Sequence, residues 1–361
     1  MKTIKNIFEK VVDFENLYQA WESARQGKRY REEVMQFSEN LESNLIEIQN
    51  HLLYGTYRAG SYRQFYVYEP KKRLIMALPF RDRVVQWAIY RQLFPIFDKQ
   101  FIMDSYACRE GKGAHKAVDR LQYWLRQTDR KPKRYYYLKL DIAKYFYRVD
   151  HEVLIKILRR KISDTKIVDL LAMIINSEET KFGLPVGVEP DLCDPSDRLA
   201  EVGMPIGNLT SQMFANLYLH ELDIFAKHKL GLHYYIRYMD DIIILHHEKK
   251  YLAMVKNEIE TFLFDNLRLQ LNKKTAIRPC SMGIEFVGYR IWATHRKLKK
   301  KTALKIKRAV KSIKDKRESG AMTEESFERR IASYKGVLCH CNSYGLRKEL
   351  NKMFRQNAKD E

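Results

Sequence analysis

Tyr234-Tyr235-Ile236-Arg237-Tyr238-Met239-Asp240-Asp241-Ile242-Ile243-Ile244-Leu245 is the stretch on which the reading of this chain turns. Runs of aromatic and β-branched residues flank a Tyr-Met-Asp-Asp core, and such runs favour extended backbone. Two strands joined by a tight turn are expected, with adjacent carboxylates at the turn. Like charges so placed repel, so something must compensate. An Asp in a hairpin turn is ordinary by itself. Here a second strand also ends in an acid: Tyr135 to Leu140 reads as a strand that delivers Asp141. Two strand-borne acids side by side in a sheet make a site for hard divalent cations. Two Mg²⁺ ions about 4 Å apart could activate a 3′-hydroxyl and steady a leaving pyrophosphate. Nucleotidyl transfer is chemistry of that kind, in which positioning and charge neutralisation supply most of the catalysis.

Outward from this core, residues 1 to 55 read as helical. Phe14, Leu17, Tyr18 and Trp21 fall at i, i+3, i+4, i+7, and Leu41, Leu45, Ile48 and Leu52 repeat the spacing. Gly55 and Gly60 break the pattern. Residues 62–68 and 73–78, separated by Pro70, read as a hairpin carrying Arg63, Lys71, Lys72 and Arg73. Helices are expected over 81–97, 114–126, 151–176, 210–227 and 250–266, and strands over 267–271 and 284–292. Residues 178–201 read as an exposed, Pro-containing acidic loop with Glu178, Glu179, Glu189, Asp191, Asp194, Asp197 and Glu201. From about Arg296 the chain reads as basic helices, with 12 Lys or Arg in the 22 positions from Arg296 to Arg317. A boundary is expected near 293–297.

Composition narrows the function classes. In 361 residues, 66 Lys and Arg face 45 acids, a net charge of +21. That excess favours a polyanionic partner, nucleic acid or an anionic membrane surface, over a protein that is merely basic. The 23 Tyr and 17 Phe offer flat faces for bases, although most should be core. No run of 18 uncharged apolar residues occurs, which argues against a membrane-spanning helix. The charged first ten residues lack the apolar segment of a secretory signal. Five scattered cysteines (Cys108, Cys193, Cys280, Cys339 and Cys341) do not form a disulfide framework and fit a reducing cytoplasm. Cys339-His340-Cys341 lacks a second pair at zinc spacing.

Asp141 with Phe146, Tyr238 to Asp241, and Pro205-Ile206-Gly207-Asn208-Leu209-Thr210-Ser211-Gln212 together resemble the ordered motifs of reverse transcriptases. Arg81-Asp82-Arg83-Val84-Val85-Gln86 resembles the fingers helix of bacterial and group II intron members. Ser105 to Arg109 with Gly113-Ala114-His115 looks like the next motif of that lineage. Leu269 to Thr275 and Phe286-Val287-Gly288-Tyr289 resemble the two motifs after the catalytic turn. The resemblance spans roughly residues 60 to 292 in the family's order.

The resemblance implies an α+β right-hand polymerase. Residues 1–59 would be a helical extension, 60–295 fingers and ferredoxin-like palm, and 296–361 a short helical thumb. Asp141, Asp240 and Asp241, with the carbonyl of Ile142, would bind two Mg²⁺, with Mn²⁺ able to stand in during assays. Phe146 would be the sugar gate that blocks a 2′-hydroxyl. Lys72 and Arg73 would grip the triphosphate, Lys274 would neutralise the leaving pyrophosphate, and Ile206 and Gly207 would line the nascent base pair. Phe286, Val287, Gly288 and Tyr289 would support the primer. Arg296, Lys297, Lys299, Lys300, Lys301, Lys305, Lys307 and Arg308 would hold phosphates.

The motif after Pro205 departs from the common pattern. Most reverse transcriptases have Gln-Gly there, and group II enzymes then have Ser-Pro. Ile206-Gly207 and Ser211-Gln212 instead resemble the enzymes of diversity-generating retroelements. That likeness implies copying of a template-repeat RNA into cDNA with errors opposite template adenines, in mutagenic retrohoming. It also implies a small basic accessory protein as partner, a prokaryotic or phage gene, and a cytoplasmic, non-membrane setting. On that likeness, no nuclease, maturase or ribonuclease H domain is expected in the residues after the palm. The alternatives are another prokaryotic reverse transcriptase (defence-associated, retron or intron-derived), or a catalytically silent RNA-binding scaffold. The intact acids argue against the scaffold. A basic membrane-surface protein is disfavoured because the tail lacks a wide apolar face with aromatics.

Overall fold

The computed structural model describes residues 3–68, 72–176 and 181–355. Pro70 and Lys71 of the expected hairpin, and Glu178 and Glu179 of the acidic loop, lie outside the described residues. In chain order the first elements are α1 (Phe8–Val12), α2 (Phe14–Arg25), α3 (Glu32–Glu39), α4 (Leu41–Leu53), β1 (Arg63–Val67), β2 (Arg73–Ala77) and α5 (Phe80–Asp98). Next come α6 (Ala114–Asp129), β3 (Tyr136–Asp141), α7 (Tyr145–Arg148), α8 (His151–Lys161), α9 (Thr165–Ile175) and α10 (Leu209–Ile224). Then follow β4 (Tyr235–Tyr238), β5 (Asp241–His246), α11 (Lys249–Leu267), β6 (Ala276–Pro279), β7 (Ile284–Phe286), β8 (Tyr289–Ile291) and β9 (Arg296–Leu298). The helices α12 (Lys300–Glu318), α13 (Glu324–Cys339) and α14 (Tyr344–Arg355) complete the order. The class is α+β, as expected.

The chain divides into two compact units. One contains Met1–Cys108, Asp141–Leu232 and Val255–Lys274; the other contains Arg109–Leu140, His233–Met254 and Thr275–Glu361. In the first, α2 buries Leu17, Ala20, Trp21 and Ala24, while Phe14 and Tyr18 of the expected stripe face solvent. Asn16 pins α2 to α5: its amide donates to the carbonyls of Val11 and Ala88, and its oxygen accepts from Gln92. The expected single helix over 151–176 is two helices. The first ends at Lys161, with Ile162 extended, and Asp164 caps the second by accepting from Ile167 N, while its other oxygen accepts from Ile7 N and Phe8 N at 2.8 and 2.9 Å. One carboxylate thus serves two helix N-termini, where it also meets the positive end of the dipole. Residues 267–271, expected as a strand, contribute a single bridge, Ile142 to Leu271.

The second unit is built on a four-stranded sheet of order β4-β5-β3-β6. In β5, Ile242, Ile243, Ile244 and Leu245 are all buried, so the strand is covered on both faces. A second sheet has order β7-β8-β9. Its last strand corrects an expectation, because Arg296–Leu298 pairs with β8 rather than starting a helix. The tail helices α12, α13 and α14 share a core of Ile306, Val310, Ile313, Phe327, Ile331, Leu338 and Leu350. No helix among the described residues is long and apolar enough to cross a membrane.

Candidate active site

The Tyr238-Met239-Asp240-Asp241 segment forms a two-residue hairpin turn. Tyr238 pairs with Asp241, leaving Met239 and Asp240 at the tip. Met239 is left-handed, with φ of 52°. A non-glycine residue in that region carries strain of about 1 kcal/mol or more and persists where the surroundings dictate it. The buried flanks of β4 and β5 do so here. Arg237, fully buried, donates to the Met239 carbonyl at 3.3 Å.

β3 is the hydrogen-bonded neighbour of β5. Lys139, two residues before the end of β3, reaches Asp241 at 2.9 and 3.1 Å and also donates to the Glu285 carbonyl at 2.8 Å. This cation compensates part of the charge at the acidic turn. Side chains alternate along a strand, so Lys139 and Asp141 share a face of β3. That alternation was the available signal for Lys139: a lysine between Leu138 and Leu140, in phase with Asp141, marks the polar face.

Just past Asp141 the backbone is clamped. Asn272 N donates to the Asp141 carbonyl at 2.7 Å, and Ala143 N donates to the Gln270 carbonyl at 2.8 Å. Neither bond uses the Ile142 carbonyl. Asp141, Asp240 and Asp241 with that carbonyl are all hard oxygen donors, the chemistry that suits Mg²⁺. Among the described residues, no three or more His, Cys, Asp or Glu side chains are already gathered in a metal-holding group.

The expected sugar gate, Phe146, lies against an apolar cluster of Leu74, Met76, Tyr147, Phe182 and Leu184, which Ile206 also touches. Its neighbour Tyr145 is fully buried and donates to the Ala215 carbonyl at 2.6 Å, which stiffens the ring's support. Ile206 accepts from Met76 N at 3.0 Å. Gly207 has φ of 132°, and a Cβ there would stand 2.6 Å from the Met76 carbonyl. Only glycine lets these backbones approach so closely. The motif continues into α10, where Asn208 donates to the Tyr62 hydroxyl oxygen at 2.6 Å and Gln86 accepts from Leu209 N. Burial pushes the Tyr62 phenol up to about 12, against the Asn208 hydrogen bond, which pulls it down. The structure thus joins Phe146, Ile206, Gly207 and the β1–β2 hairpin in one neighbourhood.

Lys72 and Arg73 lie at the start of β2. Lys72 sits over the Tyr66 ring at 4.6 Å and 3.7 Å from Asp191. Lys274 is exposed, its backbone N–H held by Asn272. Phe286, Val287, Gly288 and Tyr289 form a second two-residue hairpin, with Phe286 paired to Tyr289 and both turn residues at positive φ. Phe286 and Tyr289 are buried. In the basic tail, Lys297, Lys300, Lys301, Lys305 and Arg308 are exposed. Arg296, Lys299 and Lys307 pair with Asp119, Glu285 and Glu349. All five cysteines are free thiols, and His340 stacks on His115 at 3.6 Å.

The sequence pattern described as "Reverse transcriptase (RNA-dependent DNA polymerase)" matches residues 68–291, well over half of the chain. The chain belongs to the reverse transcriptase family. Divalent metal ions are general to that family. The chain is 26% identical over 279 residues to protein YkfC of Escherichia coli, covering 68% of this chain and 70% of that one. It is 23% identical over 319 residues to the group II intron-encoded protein LtrA of Lactococcus lactis, covering 69% of this chain and half of LtrA. Two intron proteins of Saccharomyces cerevisiae are matched over 30% and 34% of their lengths, so the chain spans well under two thirds of most of these relatives. Among solved structures, apo telomerase from Candida tropicalis is similar with a TM-score of 0.48 and 12% identity, covering 67% of this chain and 49% of that one.

Proposed function

We propose that this reverse transcriptase is an RNA-directed DNA polymerase of a diversity-generating retroelement. Neighbouring strands that end and begin on Asp141 and Asp241, with the strained Met239-Asp240 turn between β4 and β5, carry the polymerase reading. Asp141, Asp240, Asp241 and the Ile142 carbonyl would hold two Mg²⁺ ions, which supply Lewis acidity and an activated 3′-hydroxyl when bound. Lys139 fixes the orientation of Asp241 between turnovers. Lys72, Arg73 and Lys274 bind the triphosphate, Phe146 excludes the ribose 2′-hydroxyl, and Phe286 to Tyr289 support the primer. Residues 1–59 act as an extension, 60–295 as fingers and palm, and 296–361 as a thumb whose exposed cations hold phosphates without reading sequence.

The diversity-generating assignment rests on Ile206-Gly207 with Ser211-Gln212. A template-repeat RNA, its cDNA, a small basic accessory protein and a cytoplasmic setting belong to that finer reading. The likeness to LtrA favours a second reading, an intron-type enzyme that copies accurately. Primer extension on an RNA template with dNTPs and Mg²⁺, followed by product sequencing, separates the two. Asp240→Asn should lower extension on the order of a thousandfold, about 4 kcal/mol of barrier, with thermal stability kept. Errors clustered at template adenines select the diversity-generating enzyme, and accurate products select the intron type. Undiminished extension by Asp240→Asn would overturn the polymerase site.

A further inference from the structure

The acidic loop between α9 and α10 is anchored at both feet. Gly183 and Leu199 exchange backbone hydrogen bonds at 3.0 and 3.2 Å, and Gly203 N and Met204 N donate to the carbonyls of Val149 and Phe146 at 2.7 Å. Phe182 and Leu184 are buried in the cluster that also holds Leu74 and Met76 of β2. The guanidinium of Arg198, itself buried, lies near the Tyr147 and Phe182 rings and donates to the Phe182 carbonyl at 3.2 Å. A Cβ at Gly183 would meet the Val202 carbonyl at 2.4 Å, so the feet are closely fitted. Between them lies a span with four acids, Glu189, Asp191, Asp194 and Asp197.

Two of those acids meet cations. Asp191 lies 3.7 Å from Lys72, and Glu189 lies 3.1 Å from Lys144, whose ammonium also donates to the Val188 carbonyl at 2.5 Å. Lys144 stands between Asp141 and Phe146 and is left-handed, with φ of 49°. Asp191 and Arg73 act in opposite directions on the Tyr147 phenol, which burial raises first of all, so Arg73 too lies near this loop. The loop therefore sets carboxylates on the cationic surface where the proposed function places a triphosphate.

We infer that the loop is a built-in competitor for the incoming nucleotide: Glu189 and Asp191 occupy Lys144 and Lys72, and a triphosphate must displace them to bind. The inference rests on the proposed nucleotide site and adds Lys144 to its phosphate-binding cations. Both pairs are partly exposed, so each carboxylate is held weakly enough to exchange with a more highly charged anion. The arrangement favours full nucleoside triphosphates over species with fewer phosphates, because two separated carboxylates are displaced together.

Equilibrium binding of dTTP and of inorganic tripolyphosphate to the full chain, by titration calorimetry, tests it. Glu189→Gln/Asp191→Asn should bind both about three- to tenfold more tightly than the wild type, the gain expected from releasing two weak ion pairs. Asp194→Asn/Asp197→Asn removes the same net charge from the same loop and should leave binding unchanged. Equal affinity of the Glu189/Asp191 variant and the wild type overturns the inference. So does an equal gain in the Asp194/Asp197 variant, and so does a lack of binding by all three proteins. Primer extension is measured separately. A protein that gains tripolyphosphate affinity yet never extends a primer keeps the loop competition and sinks the polymerase reading. A polymerase whose nucleotide affinity ignores the loop does the reverse.

Discussion

The molecule contains two β-ribbons of similar size with opposite surroundings. β4–β5 lies within a four-stranded sheet, and apart from Tyr238, Asp241 and His246 its strand residues are buried. β1–β2 is a sheet of two strands by itself, and every residue of β1 is exposed. A lone two-stranded ribbon is marginal in water. This one is held along one edge, by Leu74 and Met76 in the apolar cluster and by Met76 N donating to Ile206. The difference matches what the two ribbons carry. The carboxylates that the proposed function gives a fixed geometry sit on the buried ribbon, where neighbours dictate even a strained Met239. The cations to which the proposed function gives a mobile polyanion sit at the exposed one. The contrast is quantitative. Ile243→Ala, in the buried ribbon, should cost about 2–5 kcal/mol through lost burial and a cavity. Phe65→Ala, in the exposed ribbon, should stay within about 1 kcal/mol. Urea unfolding of both variants checks this, and similar losses would break the comparison.

The edge that holds the exposed ribbon can be attacked directly. Gly207→Ala puts a Cβ 2.6 Å from the Met76 carbonyl at a φ of 132°. The strain should cost about 1–3 kcal/mol and fall locally. Amide hydrogen exchange in β1 and β2 should speed up, while that of β4 and β5 stays as in the wild type. Faster exchange in both ribbons would mean that they share one cooperative unit, and the division of labour would fail.

The buried ribbon was also the more legible of the two. Two apolar runs around Met239-Asp240 can pack as strands and as little else, so the hairpin and its acids follow from local pattern. The β1–β2 hairpin was legible from Arg63 to Leu78, although its cations gave no sign that they would meet Asp191. The misses share one cause, a partner distant in sequence. The helix expected over 151–176 breaks after Lys161, where Ile4 bridges to Ile162 and Asp164 accepts from Ile7 and Phe8, 157 and 156 positions earlier. Arg296 to Leu298 reads as the start of a basic helix until β8 offers it an edge to pair with. Phe14 and Tyr18 fit a helical stripe, but the interface with α5 turns the helix so that Ala20 and Ala24 face inward. Lys139 was within reach of the pattern, since a strand puts it on the same face as Asp141.

The smallest effect probes the point where the exposed ribbon meets Ile206, which the proposed function places beside the nascent base pair. Ile206 accepts the Met76 N–H through its backbone, while its side chain only packs against the apolar cluster. Replacing it with Gln therefore leaves the hydrogen bond to β2 in place and adds an amide that can bond to a nascent base pair. One such contact is worth about 1 kcal/mol, which is several-fold in discrimination. Ile206→Gln should lower misincorporation opposite template adenine by that factor, with the stability of both ribbons unchanged. Deep sequencing of cDNAs from the two proteins reads the change. Identical error spectra would remove Ile206 from the fidelity argument and leave the ribbon's edge a purely structural contact. A several-fold effect is also too small to account for heavy adenine mutagenesis, so strong mutagenesis in the wild type would require further groups beside Ile206 on that wall.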